Sequence, residues 1–324
     1  MPINKIDAVI LWVDGNDPNH KQKINSYRTN KEKKNIVLAG DTRFNSVGEI
    51  KFCVAGILRN ATFVKRIFIV TDNQNPNLDE FIEKNFPENK VPIVIIDHKE
   101  IFREHLQYLP VFNSLSIESC IHNIKDLSEE FLYFNDDFII LRPTSKENFF
   151  SNGKMIANGK WKKSLNFKIL RFINKLIFLP NPVMDNYSLR TANLINIKNK
   201  FLQIRHVPHP QKISVREKLY NEFPDILKDN LSYKFRSTKQ HNPQCATYMY
   251  AENLNELIVK REANYIYLYP ARKNNQQKYI DSRLEYFNNN KNVLFGCFQS
   301  LDQTNEEQRE YIISWLKGIL NIEI

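Results

Sequence analysis

The run FLYFNDDFIILRP at 131–143 sets two adjacent carboxylates, Asp136 and Asp137, directly behind Asn135 in an otherwise apolar stretch. A buried strand does not carry ionised carboxylates unless they are paired, metal-bound or neutralised. The stretch is therefore a surface turn or a site. Three further apolar runs also finish at an acid: 8–13 at Asp14, 67–71 at Asp72 and 93–96 at Asp97. Four acids collected on one edge would bind a cation well. Such oxygen ligands suit Mg²⁺ or Mn²⁺, with a diphosphate substrate completing the shell. Asn135 can add a carbonyl oxygen or position a substrate hydroxyl. Aspartate is also a common turn former and helix cap. That reading is taken for Asp97, whereas Asp14 and the Asp136–Asp137 pair are read as a site.

Glu118 lies one turn into a helix that Asn113 or Ser114 can cap, near an end that attracts anions. It is an acid/base group, a holder of one, or a plain surface glutamate. His206 and His209 flank Val207-Pro208. Proline makes this segment extended, so the rings need not converge on a zinc ion. A general base or a phosphate contact fits better. Arg43 and Arg236 are candidate phosphate clamps, because a guanidinium matches phosphate geometry and stays charged. Glycine is scarce, at 8 residues, and neither GxGxxG nor GxxxxGK[ST] occurs. Phosphate must then be held by side chains, helix N-termini and metal.

The elements that position these residues follow from periodicity. The four continuous apolar runs, the last at 131–134, read as buried strands. Between them, Ser46 and Glu49 have capping-box spacing and open a helix with Ile50, Val54, Ile57 and Leu58 on one face. A second helix buries Ile117, Cys120, Ile121, Ile124 and Leu127. Alternating strands and helices argue a parallel sheet, whose ligands bind at the carboxyl ends of the strands. Residues 1–153 form this α/β core, 154–182 a basic insert, and 183–324 a mainly helical part completing the same domain.

The net charge of +10 suits nucleic acid, an anionic small substrate or an anionic membrane surface. Nucleic acid is set aside: no known module is present, and the aromatics are not interleaved with basic residues. Cys53, Cys120, Cys245 and Cys297 are widely spaced with no CxxC pair; three of them read as small core residues, and a reducing compartment fits. No secretory signal is seen, and no apolar run approaches the roughly 20 residues needed to span a bilayer. A soluble or peripheral protein is expected. Residues 160–179 (KWKKSLNFKILRFINKLIFL) read as one amphipathic helix. Trp161, Leu165, Ile169, Phe172, Leu176 and Leu179 share a face, opposite Lys163, Lys168, Arg171 and Lys175. Both a core helix and a membrane-surface helix have that pattern.

Taken together, the motifs resemble the Stealth family of bacterial capsular and cell-wall polysaccharide phosphotransferases, which is related to the animal N-acetylglucosamine-1-phosphotransferase. IDAVILWVDGNDP (6–18) looks like the first Stealth block. The stretches at 41–76 and 109–140 look like the start and end of the second, and RHVPHP (205–210) with KFRS (234–237) is similar to the third. The fourth block is where the chain departs: VLFGCFQSLD (293–302) lacks the expected Asn-Asp pair, with Asp302 as the nearest substitute.

The resemblance implies an α/β, Rossmann-like, glycosyltransferase type A-like fold: a mainly parallel sheet flanked by helices, with a mainly helical C-terminal part. It implies transfer of a hexose or N-acetylhexosamine 1-phosphate from a UDP-sugar to a glycan hydroxyl, releasing UMP. Glu118, Asp137, His209 and Arg236 match positions implicated in catalysis. Asp14, Gly15, Arg43, Asp72, Asn113, Ser114 and Asn135 match or adjoin motif positions near nucleotide and acceptor. Asp136 and Asp137 would hold the metal. The implied setting is the cytoplasm, peripheral on the inner face of the plasma membrane, with a lipid-linked acceptor favouring membrane contact through 160–179. Two alternatives compete. A metal-dependent glycosyltransferase would use the same donor but release UDP, and a non-catalytic module would bind an anionic surface without needing Asp137 or His209.

Overall fold

A computed structural model describes residues 5–28, 47–176, 183–261 and 264–324. Arg43 and Ser46 lie outside the described residues. The first four strands, β1 (Ile6–Leu11), β2 (Val64–Thr71), β3 (Ile93–Asp97) and β4 (Glu130–Asn135), are the four apolar runs. The later strands are β5 (Phe138–Ile140), β6 (Phe150–Ser151), β7 (Lys154–Lys163), β8 (Lys200–Ile204), β9 (His209–Lys212), β10 (Leu257–Lys260), β11 (Tyr265–Leu268) and β12 (Phe295–Phe298).

β1 pairs in parallel with β2 and β4, and β2 with β3. All four carboxyl ends therefore point to one edge, with Leu11 level with Val70 and Asn135. The unbroken apolar character of β1 and β4 follows from burial on both faces, whereas β3, at the edge, leaves Ile95 exposed. Ala8, Ile10, Ile67, Ile69, Leu132 and Phe134 enter one core, while Val9, Leu11, Phe68, Val70, Phe131 and Tyr133 enter another behind it.

The sheet is mainly parallel, as expected, but one antiparallel edge strand keeps it from being a purely parallel Rossmann sheet. Its order is β3-β2-β1-β4-β9, and β9 runs antiparallel to β4. Pro210 explains why β9 takes an edge: it has no N–H to give to a further strand. The pairing sets His209 opposite Tyr133. A second small sheet, β11-β12-β5, brings the C-terminal part against the residues that follow the two aspartates.

The helix Glu49–Asn60 packs on β5. Gly56 permits this, because a Cβ there would meet the Ile140 carbonyl oxygen at 2.8 Å. The N-cap of this helix is Gly48, in the left-handed region at φ 90, and Glu49 turns back to accept from Val47 N at 2.7 Å. The expected single helix over 160–179 is corrected. Residues 160–163 are strand, with Trp161 opposite Leu202, and the helix spans Ser164–Leu176. Backbone pairing to β8 overrides the helical pattern there. Residues 177–182 lie outside the described residues.

Candidate active site

The acids at the sheet edge are unequally engaged. Asp97 caps the helix His98–Phe102, accepting from Lys99 N at 2.8 Å, and accepts from Asn73 N at 2.8 Å. That is the turn-former role read from the sequence. Asp72 is ion-paired with Lys23 Nζ at 2.6 Å. Asp14 accepts from Asn16 N at 2.8 Å around the buried Gly15. Gln74 clamps the same turn, accepting from Asp14 N at 3.0 Å and donating to Asp14 O at 2.9 Å. The strand-end acids therefore do not converge. Among the described residues no group of three or more His, Cys, Asp or Glu side chains is placed to hold a metal. Lys23, on the helix Pro18–Tyr27, supplies the charge that pairs Asp72.

Asp136 and Asp137 form the tight connection between β4 and β5. Strand β12 fixes it: Phe298 N donates to Asp137 O at 3.1 Å and the Cys297 thiol to Asp137 Oδ2 at 3.6 Å. The other oxygen, Oδ1, is buried and has no hydrogen-bond partner among the described residues. Burial pushes the Asp137 carboxyl up to about 6, with the Glu49 charge adding to it. Burial, Glu49 and Asp137 hold Asp136 well above the usual carboxylate range. Two acids held together against repulsion, with one oxygen unpartnered, suit a cation shared with a substrate phosphate.

The second group surrounds Glu118, which is buried on the helix Ser114–Cys120. Asn113 is the N-cap, accepting from Ser116 N at 3.0 Å. It also donates to Tyr233 O at 2.7 Å and accepts from Gln240 Nε2 at 3.0 Å. It thereby pins the loop that carries Arg236. Arg236 Nη2 in turn donates to Ser114 Oγ at 2.5 Å. Burial raises the Glu118 carboxyl, opposed by Arg236, the Ser114 and Tyr133 hydroxyls and Arg216.

Tyr133 links the two groups. Its hydroxyl donates to Asn135 Oδ1 at 2.6 Å and also faces Glu118. His209 is stacked on Tyr133 at 6.3 Å between ring centroids, and its Nδ1 lies 3.3 Å from the Tyr248 hydroxyl. Burial, then His206 and Arg216, lower its pKa to about 3, so its ring is neutral. Phe138 lies edge-on to both His206 (6.2 Å) and His209 (5.9 Å), and His206 stacks on Tyr267 at 5.3 Å.

Glu118, Ser114, Arg236, His209, Asn135, Asp136 and Asp137 are thus connected through Tyr133 and Phe138. Asp14, Gly15 and Asp72 occupy the neighbouring strand ends. Sequence reasoning missed Glu49, Tyr133, Arg216, Gln244, Tyr248 and Cys297. Arg216 carried a signal: it stands beside Val215, Leu219 and Tyr220 on the buried side of its helix.

Residues 4–32 match Stealth protein CR1, conserved region 1, and residues 43–158 match Stealth protein CR2, conserved region 2. The chain is homologous to the Stealth proteins. This Stealth homologue is 39% identical to the capsular polysaccharide phosphotransferase LcbA of Neisseria meningitidis, over 74% of this chain and 62% of the relative. It is 34% identical to the capsular polysaccharide phosphotransferase cps1A of Actinobacillus pleuropneumoniae, over 73% of this chain and 62% of the relative. The chain thus spans about three fifths of the length of these curated relatives. The galactosyltransferase LgtC, solved with donor and acceptor sugar analogues, overlaps 98% of this chain and 95% of its own at 7% identity and a TM-score of 0.49. A likeness that weak decides nothing about activity.

Proposed function

We propose that this Stealth homologue transfers hexose 1-phosphate or N-acetylhexosamine 1-phosphate from a UDP-sugar to a glycan hydroxyl in capsular or cell-wall polysaccharide synthesis. The observation that carries the reading is the Asp136–Asp137 turn, with its unpartnered Oδ1, joined through Asn135 and Tyr133 to the Glu118–Ser114–Arg236 group. Relatives named capsular polysaccharide phosphotransferases support it. The acceptor oxygen attacks the β-phosphorus. A new O–P bond forms, the bond from that phosphorus to the α–β bridging oxygen breaks, and UMP leaves with that oxygen. Positioning and charge stabilisation dominate such transfers.

Arg236, oriented by Ser114, donates to the phosphoryl oxygens as charge shifts. Glu118 takes the acceptor proton: burial raises its basicity while lowering that of His209, and a base works best near the operating pH. His209 is then a neutral hydrogen-bonding contact. Asp136 and Asp137 would hold Mg²⁺ or Mn²⁺, which would neutralise diphosphate charge. The sugar C1–O bond survives, so anomeric configuration is retained. Chromatography of products from a panel of UDP-sugars with glycan acceptors tests this: UMP is expected, and UDP would indicate an ordinary glycosyltransferase.

We further propose that the helix Ser164–Leu176 rests on the anionic cytoplasmic face of the plasma membrane, near a lipid-linked acceptor. Leu165 (66% exposed), Ile169 (50%), Phe172 (64%) and Leu176 (62%) are open to solvent, although Phe167 is buried against Phe201. Residues 160–179 contain six Lys or Arg and no acid, which suits anionic headgroups. Among the described residues no helix is long and apolar enough to cross a membrane. Flotation with phosphatidylglycerol vesicles should recover the protein. No recovery, or equal recovery of a Leu165→Glu, Phe172→Glu variant, would contradict binding through this helix.

A further inference from the structure

Arg216 is a fully buried guanidinium on the helix Ile213–Glu222. Its hydrogen bonds among the described residues all reach uncharged oxygens. Nε donates to Gln211 Oε1 at 2.9 Å, Nη1 to the Glu118 backbone O at 2.7 Å, and Nη2 to Gln244 Oε1 at 2.7 Å. A buried cation without a bonded carboxylate is costly, so this arrangement calls for a reason. Gln244 supplies one, because its Nε2 donates to Glu118 Oε2 at 2.9 Å.

The two ends of the Gln244 amide are chemically distinct. Arginine only donates and an ionised carboxylate only accepts. Arg216 therefore draws the amide oxygen to itself and turns the amide N–H toward Glu118. The reversed amide would set N–H against N–H and oxygen against carboxylate. Arg216 also holds the Glu118 backbone, so it fixes both the residue and the group that contacts its side chain.

We propose that Arg216 and Gln244 are positioning residues that hold Glu118 ionised and aimed at the acceptor hydroxyl. The inference rests on Glu118 serving as the base in the proposed reaction. Other charged or titratable groups facing Glu118 are Arg236 on the loop after 231, Tyr133 on β4 and Tyr220 on the same helix as Arg216, with the Ser114 hydroxyl on its own helix. Gln244 adds a neutral donor that favours the ionised form. Removing that donor must raise the pH at which Glu118 ionises.

The test titrates the substrate-free protein by infrared spectroscopy, following the protonated-carboxyl band assigned by its loss in Glu118→Gln. Gln244→Leu and Arg216→Lys are compared with wild type. Lysine keeps the charge but not the three-way fork. The expected midpoint lies about one pH unit higher in both variants. In the pH profile of kcat/KM, the limb abolished by Glu118→Gln should move by the same amount, with KM changed less than about twofold. A folded Gln244→Leu protein with an unmoved midpoint overturns the proposal. Release of UDP by wild type would instead overturn the phosphotransfer reading, and the infrared comparison would still decide the relay.

Discussion

Asp137→Asn should separate stability from activity. The Asp137 carboxyl titrates at about 6 in the fold against an ordinary 3.8. That difference of about two units corresponds to roughly 3 kcal/mol, reduced to about 2 kcal/mol because the turn is half-buried rather than sealed. The sign follows from linkage. The fold favours the protonated acid, so stability falls as pH rises from 3.8 through about 6 and is level above that. Asparagine keeps the shape and removes the charge. With EDTA present at pH 7.5, Asp137→Asn should be more stable than wild type by about 2 kcal/mol, or about 2–4 °C in Tm. Near pH 4 the two proteins should converge. Millimolar Mg²⁺ should raise the wild-type Tm and leave the variant unmoved. UMP release should fall by roughly 100-fold or more. Denaturant unfolding at the two pH values reads the first part. A variant no more stable at pH 7.5, or an advantage that persists to pH 4, would refute the reasoning.

Arg236→Lys keeps the charge but loses the planar fork, so kcat should drop about 10- to 100-fold with little change in KM; an unchanged kcat in steady-state assays contradicts the clamp role. Asn113→Ala removes the cap and the tie to the Tyr233 carbonyl. It should cost about 1–2 kcal/mol in urea unfolding, and activity should fall further than stability because the Arg236 loop loosens. Asp7 is fully buried, paired with Arg66 at 3.0 Å and bonded by Ser128 N at 2.8 Å. Asp7→Ala should lose about 3 kcal/mol while kcat per folded molecule stays unchanged, since Asp7 lies at the far end of β1.

The four parallel strands were legible because each carries an unbroken apolar run, from burial on both faces in β1 and β4 and from β-branched residues alone in the edge strand β3. Asn113 was legible as a cap, and Asp97 as a turn former. The antiparallel β9 was not, because four residues that contain one proline and follow another carry no periodicity that distinguishes a strand from a loop. Trp161 fitted a helical wheel, yet its pairing with β8 is a long-range event that no local pattern records. The same limit hid Lys23 beside Asp72, Cys297 beside Asp137 and Gln244 beside Glu118, each a contact between residues far apart in the chain. The 293–302 segment looked like a departure from its family. In the fold it contains strand β12, which supplies a thiol and an amide to the Asp137 turn.

In the proposed reaction phosphorus, not carbon, is attacked. The most direct measurement uses a UDP-sugar donor labelled with ³²P at the β-phosphorus, incubated with a glycan acceptor, and follows the label. Phosphodiester formation predicts labelled acceptor product and unlabelled UMP; label recovered in UDP would contradict it.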